Sequence, residues 1–233
     1  YGFKAVVYVN PDFVDPDGLR RPTLDDVWNG DIQDRDLITD GFMSWSELKA
    51  VSEEGVFSVQ SHLMTHTWYP ISDRIVDFHH PGDDYYWLDW NEIPQQKPFY
   101  LRNPAKSNVP FGWPVYQNAK SVLARRFYPD LSEGSAIAEF VREKGKSDFF
   151  LWPDWRNQLH KVAENYRKNA RVSVRVETDE EYLARITYEI NESQKIIEEQ
   201  IHKPVDFLGW PGGGYDELSV DCALSVYKAV TLG

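Results

Sequence analysis

Two imidazoles stand four residues apart in His62-Leu-Met-Thr-His66. Neutral imidazole is a common ligand for a divalent transition metal, and two rings at this spacing share a face if the residues between them turn as a helix. A chain with six histidines also produces such a pair by chance, so the spacing alone leaves a metal pair and a coincidence both open. A second string, Trp210-Pro-Gly-Gly-Gly-Tyr215, places glycines between aromatic residues. Glycine lets backbone approach a ligand closely, and its N–H can face a developing negative charge. A tight strand-to-helix turn would use the same residues.

The elements around these strings give them a position. Phe3 to Val9 is almost continuously apolar and is expected to be a strand buried on both faces. Residues 10 to 42 are rich in Pro, Asp, Gly and Asn and are expected to be a long loop. Ser44-Trp-Ser-Glu47 is a capping box that opens a helix to Glu54, and Gly55 stops it. Val56 to Ser61 is then a strand that ends at His62, which makes a βαβ unit. Further on, Thr178-Asp-Glu-Glu181 is a second capping box, opening a long helix with Leu183, Ile186, Ile190, Ile197 and Ile201 at helical spacing. Val205 to Trp210 reads as a strand, followed by the glycine loop, a helix over about 216–225 and a last strand. Both candidate strings therefore lie at the C-terminal ends of strands in a parallel α/β fold, where ligands collect.

The middle of the chain is harder to assign. Residues 67–177 hold six of the nine tryptophans and nine of the fourteen prolines. Helices are expected over about 117–127, 135–144 and 154–169, and a half-wet strand over 170–177. Trp87 and Trp90 could form a sugar-stacking platform, but they read better as the core of this segment. His79-His80 precede Pro-Gly and Asp-Asp, and adjacent side chains diverge, so a solvated loop is expected there. His160 and His202 lie in helical patterns and read as boundary residues.

Composition excludes several classes. Lys plus Arg is 25 and Asp plus Glu is 37, a formal charge of −12, which disfavours binding to nucleic acid phosphates or an anionic membrane face. No apolar run is long enough to span a membrane. The single cysteine, Cys222, excludes an internal disulfide framework and a cysteine-based zinc site.

In order and spacing, the strings Tyr1 to Val9, Phe42 to Lys49, Ser61 to His66 and Phe207 to Tyr215 resemble the polysaccharide deacetylases, the NodB-homology enzymes of carbohydrate esterase family 4. The Trp-Pro form is similar to the branch that de-N-acetylates exopolysaccharides such as poly-N-acetylglucosamine. The resemblance covers a little under half the chain. It implies a distorted (β/α) barrel carried by one domain over 1–233, with an insertion at about 69–177, and a chain truncated at both ends. It also implies that His62 and His66 bind a divalent metal, usually zinc, and that the Gly212 backbone N–H holds the oxyanion. Trp210, Pro211 and Tyr215 would line the groove for a polysaccharide substrate, and the location would be extracellular or periplasmic. The family's first motif, which supplies the catalytic base and a third metal ligand, and its general-acid histidine are expected outside this chain. Thr23-Leu-Asp-Asp-Val27 looks like that first motif, but it lies on the wrong side of the strand and reads as a surface turn with an aspartate N-cap. Gly212 stands where the family carries an aromatic residue, and Gly209 where it commonly carries arginine. The alternative is a non-catalytic carbohydrate-binding protein on the same scaffold. A glycoside hydrolase would need two carboxylates flanking the sugar bond, and no such pair stands out.

Overall fold

The computed structural model describes residues 3–102 and 107–232. The chain runs through β1 (Ala5–Val9), α1 (Leu24–Trp28), α2 (Trp45–Glu53), β2 (Phe57–Ser61), β3 (Trp68–Phe78), α3 (Trp87–Glu92) and β4 (Pro114–Lys120). It continues through β5 (Phe127–Tyr128), α4 (Leu131–Glu143), α5 (Trp155–Asn169), β6 (Arg175–Val176), α6 (Asp179–Ile201), β7 (Phe207–Leu208), α7 (Glu217–Leu224) and β8 (Ala229–Val230). These elements form two compact units. The first contains residues 3–66, 94–102 and 186–232, and the second contains residues 67–93 and 107–185.

The first unit is mixed α/β around a parallel sheet in the order β1-β2-β7-β8. β1 and β2 pair from Ala5 with Phe57 to Val9 with Ser61, and Ser61 pairs on with Leu208 of β7. Among the described residues this sheet is open, with β1 and β8 at its edges, where the family resemblance implies a closed barrel. Val6 is 48% and Tyr8 38% exposed on one face of β1, which overturns the expectation that both faces are buried. A run of apolar residues signals a strand, but it does not show whether each face is covered.

Local signals place the helices of this unit well. Ser44 Oγ accepts from the Glu47 N–H, and a Glu47 carboxylate oxygen accepts from the Ser44 N–H, so α2 opens on its capping box. Gly55 has φ +76°, the left-handed geometry that ends a helix. On α6, Ile186, Ile190, Ile197 and Ile201 are buried as expected, but Leu183 is exposed and Tyr182 takes the buried position. Each buried isoleucine contributes roughly 1.5–3 kcal/mol of apolar transfer. The expected loop at 10–42 contains the short helix α1.

The second unit pairs β3 with β4 in antiparallel fashion, from Trp68 with Lys120 to Phe78 with Pro114. Part of the helix expected over 117–127 is thus a strand, and β5 follows after a turn. Only Arg175 and Val176 of the 170–177 segment form a strand. The core packs Phe78, Ile137, Val141, Phe149, Trp155 and Leu159 between β3, α4 and α5. Trp87 and Trp90 are buried, as a core role requires.

Candidate functional site

The loop after β2 carries both histidines, and it is not a turn of helix. Leu63 (φ 63°) and His66 (φ 42°) are both left-handed, a conformation that costs a residue with a side chain roughly 1–2 kcal/mol. The loop persists because the chain around it takes up its backbone groups. The His62 N–H donates to the Val9 carbonyl at 2.8 Å. Asn10 Nδ2 donates to the carbonyls of His62 and Leu63, the latter at 3.2 Å. Ser61 Oγ accepts from the Leu63 N–H at 3.1 Å. The Met64 carbonyl accepts from the Asp12 N–H, and the Thr65 carbonyl accepts from Lys97 Nζ at 2.9 Å.

The amides of Met64 and Thr65 go to one acceptor. Both donate to Glu189 Oε2 at 3.0 Å, and the Thr65 hydroxyl donates to Glu189 Oε1. Glu189 is 1% exposed on the inward face of α6. Burial pushes its carboxyl up from the usual range, against the Thr65 bonds and the nearby Lys97 charge that favour the ionised form. Lys97 is itself buried, 2.9 Å from Asp12 and over the Phe13 ring. Glu189, Lys97, Asn10 and Asp12 were not singled out from the sequence. Only Glu189 leaves a trace there, as a charged residue three positions after Ile186 on an apolar helical stripe.

The loop brings the two imidazoles together, with ring centroids 5.3 Å apart. His62 Nδ1 lies 2.6 Å from the Gly209 carbonyl oxygen at the end of β7. A carbonyl only accepts, so Nδ1 carries the proton, and in the neutral ring Nε2 keeps its lone pair. Metal-binding histidines are commonly oriented this way. The histidine string therefore meets, through this hydrogen bond, the residue that leads into the glycine string. Gly209 also explains its own identity, because a Cβ there would lie 3.0–3.2 Å from the Tyr8 ring. The aromatic edge strand occupies the space that a side chain at 209 would need.

Beyond Gly209 the chain makes a one-turn 3-10 helix over Pro211–Gly213, with Gly212 left-handed at φ 52°. Trp210 is 3% exposed, Pro211 is buried, Gly212 is exposed and Tyr215 is half-buried. The Trp210 and Tyr215 rings sit 5.8 Å apart.

No family model matches the chain, and no curated protein matches it. Two solved structures resemble it, each at 15% sequence identity. One is of a de-N-acetylase from Aggregatibacter actinomycetemcomitans, with a TM-score of 0.44, covering 96% of this chain and 50% of that one. The other is of the BpsB deacetylase domain from Bordetella bronchiseptica, with a TM-score of 0.48, covering 99% of this chain and 55% of that one. Both are deacetylase structures. The chain spans about half the length of the structures it matches.

The remaining candidates fall elsewhere. Thr23, not an aspartate, is the N-cap of α1, and Asp26 Oδ2 accepts from the Thr23 N–H and hydroxyl. The Asp25-Asp26 pair is therefore the first turn of a helix. His79 is buried, which overturns the expected solvated loop. Its Nδ1 pairs with Asp83 at 2.8 Å, and its ring packs on Phe111. His160 is half-buried against Phe78, and His202 is exposed. Among the described residues no three His, Cys, Asp or Glu side chains cluster as a metal site, so the histidine pair is a two-donor arrangement. No helix among them is long and apolar enough to cross a membrane.

Proposed function

We propose that the first unit carries the histidine half of a metal-dependent de-N-acetylase site acting on a polysaccharide that contains N-acetylhexosamine. The observation that carries this reading is the 2.6 Å bond from His62 Nδ1 to the Gly209 carbonyl. It fixes the tautomer a metal ligand needs, and it ties the histidine string to the Phe207 to Tyr215 stretch that resembles the family's third motif. His62 and His66 would hold the ion, for which zinc is the choice the family resemblance implies. A divalent metal bound there polarises an acyl carbonyl and lowers the pKa of a water.

The other roles belong to this chain's own groups. The Gly212 backbone N–H is the donor that would meet the oxyanion formed when an acetamide is attacked, the role the family resemblance implies. Of the three residues the resemblance assigns to the groove, half-buried Tyr215 is the one open to a sugar ring, while Trp210 and Pro211 are buried. The 69–177 segment, most of which lies in the second unit while residues 94–102 belong to the first, is read as an insertion in a single catalytic domain. An extracellular or periplasmic location follows from the resemblance, as does the polysaccharide partner.

The test is metal analysis of the purified chain beside its His62→Ala variant, with acetate release from N-acetylglucosamine oligomers as the activity assay. Bound zinc in the wild type and a drop of about tenfold or more in the variant's zinc affinity are expected. Equal metal content in the two proteins would sink the assignment.

A further inference from the structure

We propose that Glu189 is a positioning residue, holding the 62–66 loop in its left-handed form so that the two imidazoles are presented together before any ligand arrives. Every backbone N–H and C=O from His62 to Thr65 has a partner, and all of those partners except Ser61 come from distant parts of the chain. Two of the four N–H groups converge on one carboxylate oxygen, and the Thr65 hydroxyl binds the other. Backbone amides that converge on one buried acceptor cannot turn away without being left unpaired, and that holds Leu63 and His66 in a conformation they would otherwise leave.

The carboxylate is not placed to serve as a metal donor in its own right. Its described bonds are all to residues 64 and 65, between the histidines, and it joins no cluster of three metal-binding side chains. It is also anchored from behind. Ser193, one turn further along α6, meets Ser61 with 2.7 Å between hydroxyl oxygens, and Ser61 Oγ takes the Leu63 N–H. Lys97 Nζ bonds both Asp12 and the Thr65 carbonyl, so the loop is gripped by a buried ammonium as well as by the buried Glu189 carboxyl. α6 therefore acts on the loop through two residues on its buried stripe, Glu189 and Ser193. Preorganising a pair of ligands raises affinity because the ion does not have to order them.

The metal part of this inference rests on the reading given above, so the experiment uses two independent readouts. The first is zinc affinity of the 233-residue chain by calorimetry, compared among the wild type, Glu189→Gln and Ile197→Ala. Ile197 is fully buried on the same helix stripe and touches none of the loop's hydrogen bonds, so its variant reports what loss of stability alone does. Glu189→Gln keeps one acceptor oxygen, so its NH2 must face either the two amides or the Thr65 hydroxyl, and the full set of three accepted bonds is lost. It is expected to weaken zinc binding by about tenfold or more, with Ile197→Ala within about twofold of wild type. Equal weakening in the two variants would overturn the proposal.

The second readout needs no metal. The nuclear Overhauser contact between the His62 and His66 rings is expected in the wild type and in Ile197→Ala, and is expected to vanish in Glu189→Gln. If the wild type binds no zinc, the metal reading fails, and the ring contact alone decides the role of Glu189. Its survival in Glu189→Gln overturns the brace, and its loss there supports it.

Discussion

The chain builds two histidine loops, one at the end of β2 in the first unit and one at the end of β3 in the second, and they use the same device in different ways. In each, a carboxylate gathers two backbone N–H groups of the loop. Asp83 accepts from the His80 N–H at 2.6 Å and the Tyr85 N–H at 3.2 Å. It also takes His79 Nδ1, so its charge sits directly on the imidazole. The carboxylate comes from within the loop, four residues after the histidine it binds. Glu189 lies more than a hundred residues from the loop it holds, and its described bonds reach the backbone and Thr65 only. His62 Nδ1 instead meets a neutral carbonyl. A local acid with its charge on the ring makes a self-contained structural turn. A remote acid that shapes the loop through its backbone, with His62 Nδ1 on a neutral carbonyl, makes a ligand-ready pair.

The largest expected effect separates the two braces directly. Glu189→Ala strips the acceptor from two buried N–H groups and a hydroxyl, each costing about 1–3 kcal/mol when left unsatisfied, so a loss of about 3–5 kcal/mol is expected. Asp83→Ala opens a loop that water can reach more easily, and about 1–2 kcal/mol is expected. Urea unfolding of both variants checks this, and an equal loss would erase the distinction between the remote brace and the local one.

The pH dependence should also differ in sign. Burial raises the Glu189 carboxyl above the ordinary carboxylate range, so its contribution is present below about pH 4 and is lost as pH rises through the raised value. Burial would also raise the Asp83 carboxyl, but the His79 and backbone bonds outweigh it and hold it low. Its contribution is therefore present above about pH 4 and is lost as pH falls through the lowered value. Stability measured in urea from pH 3 to pH 8 should show a shallower acid-side decline in Asp83→Asn. In Glu189→Gln the decline toward higher pH should shrink instead. Parallel shifts at both ends in both variants would mean that neither carboxyl behaves as its surroundings dictate.

The same contrast explains what could be read from the residues alone. α2, α4, α5, α6 and α7 follow from caps and 3.6-residue spacing, which are properties of neighbours in sequence. The histidine pair and the glycine string were legible because each is contiguous. Glu189, Lys97, Asn10 and Asp12 were not, because their roles depend on contacts from 32 to 125 residues apart. The 117–127 segment misled for a related reason. Gln117, Ala119, Lys120, Leu123 and Ala124 are good helix formers, yet pairing with β3 decides the conformation up to Lys120, and pairing is a long-range event. β1 shows the limit from the other side, since its apolar residues were read correctly as a strand but not as an edge.

Two glycines give a smaller test of how firmly each unit is packed. A Cβ on Gly134 of α4 would lie 2.9 Å from three carbons of the Trp113 indole, a rigid ring rather than the far end of a flexible side chain. Gly134→Ala is expected to cost about 1–3 kcal/mol as overpacking, offset in part by alanine's better helix propensity.

Gly209→Ala is the gentler case, although it sits beside His62. The Cβ would meet the Tyr8 ring at 3.0–3.2 Å, but Tyr8 is 38% exposed on an edge strand and can swing toward solvent. A cost under about 1 kcal/mol is expected. The contact with Tyr8 is the stated cause, so the cost should vanish in a Tyr8→Ala background, a double-mutant comparison that urea unfolding can resolve. If Gly209→Ala costs the same with and without the Tyr8 ring, the glycine is kept for another reason. The nearest candidate is then the Gly209 carbonyl, whose bond to His62 Nδ1 would have to shift with the backbone.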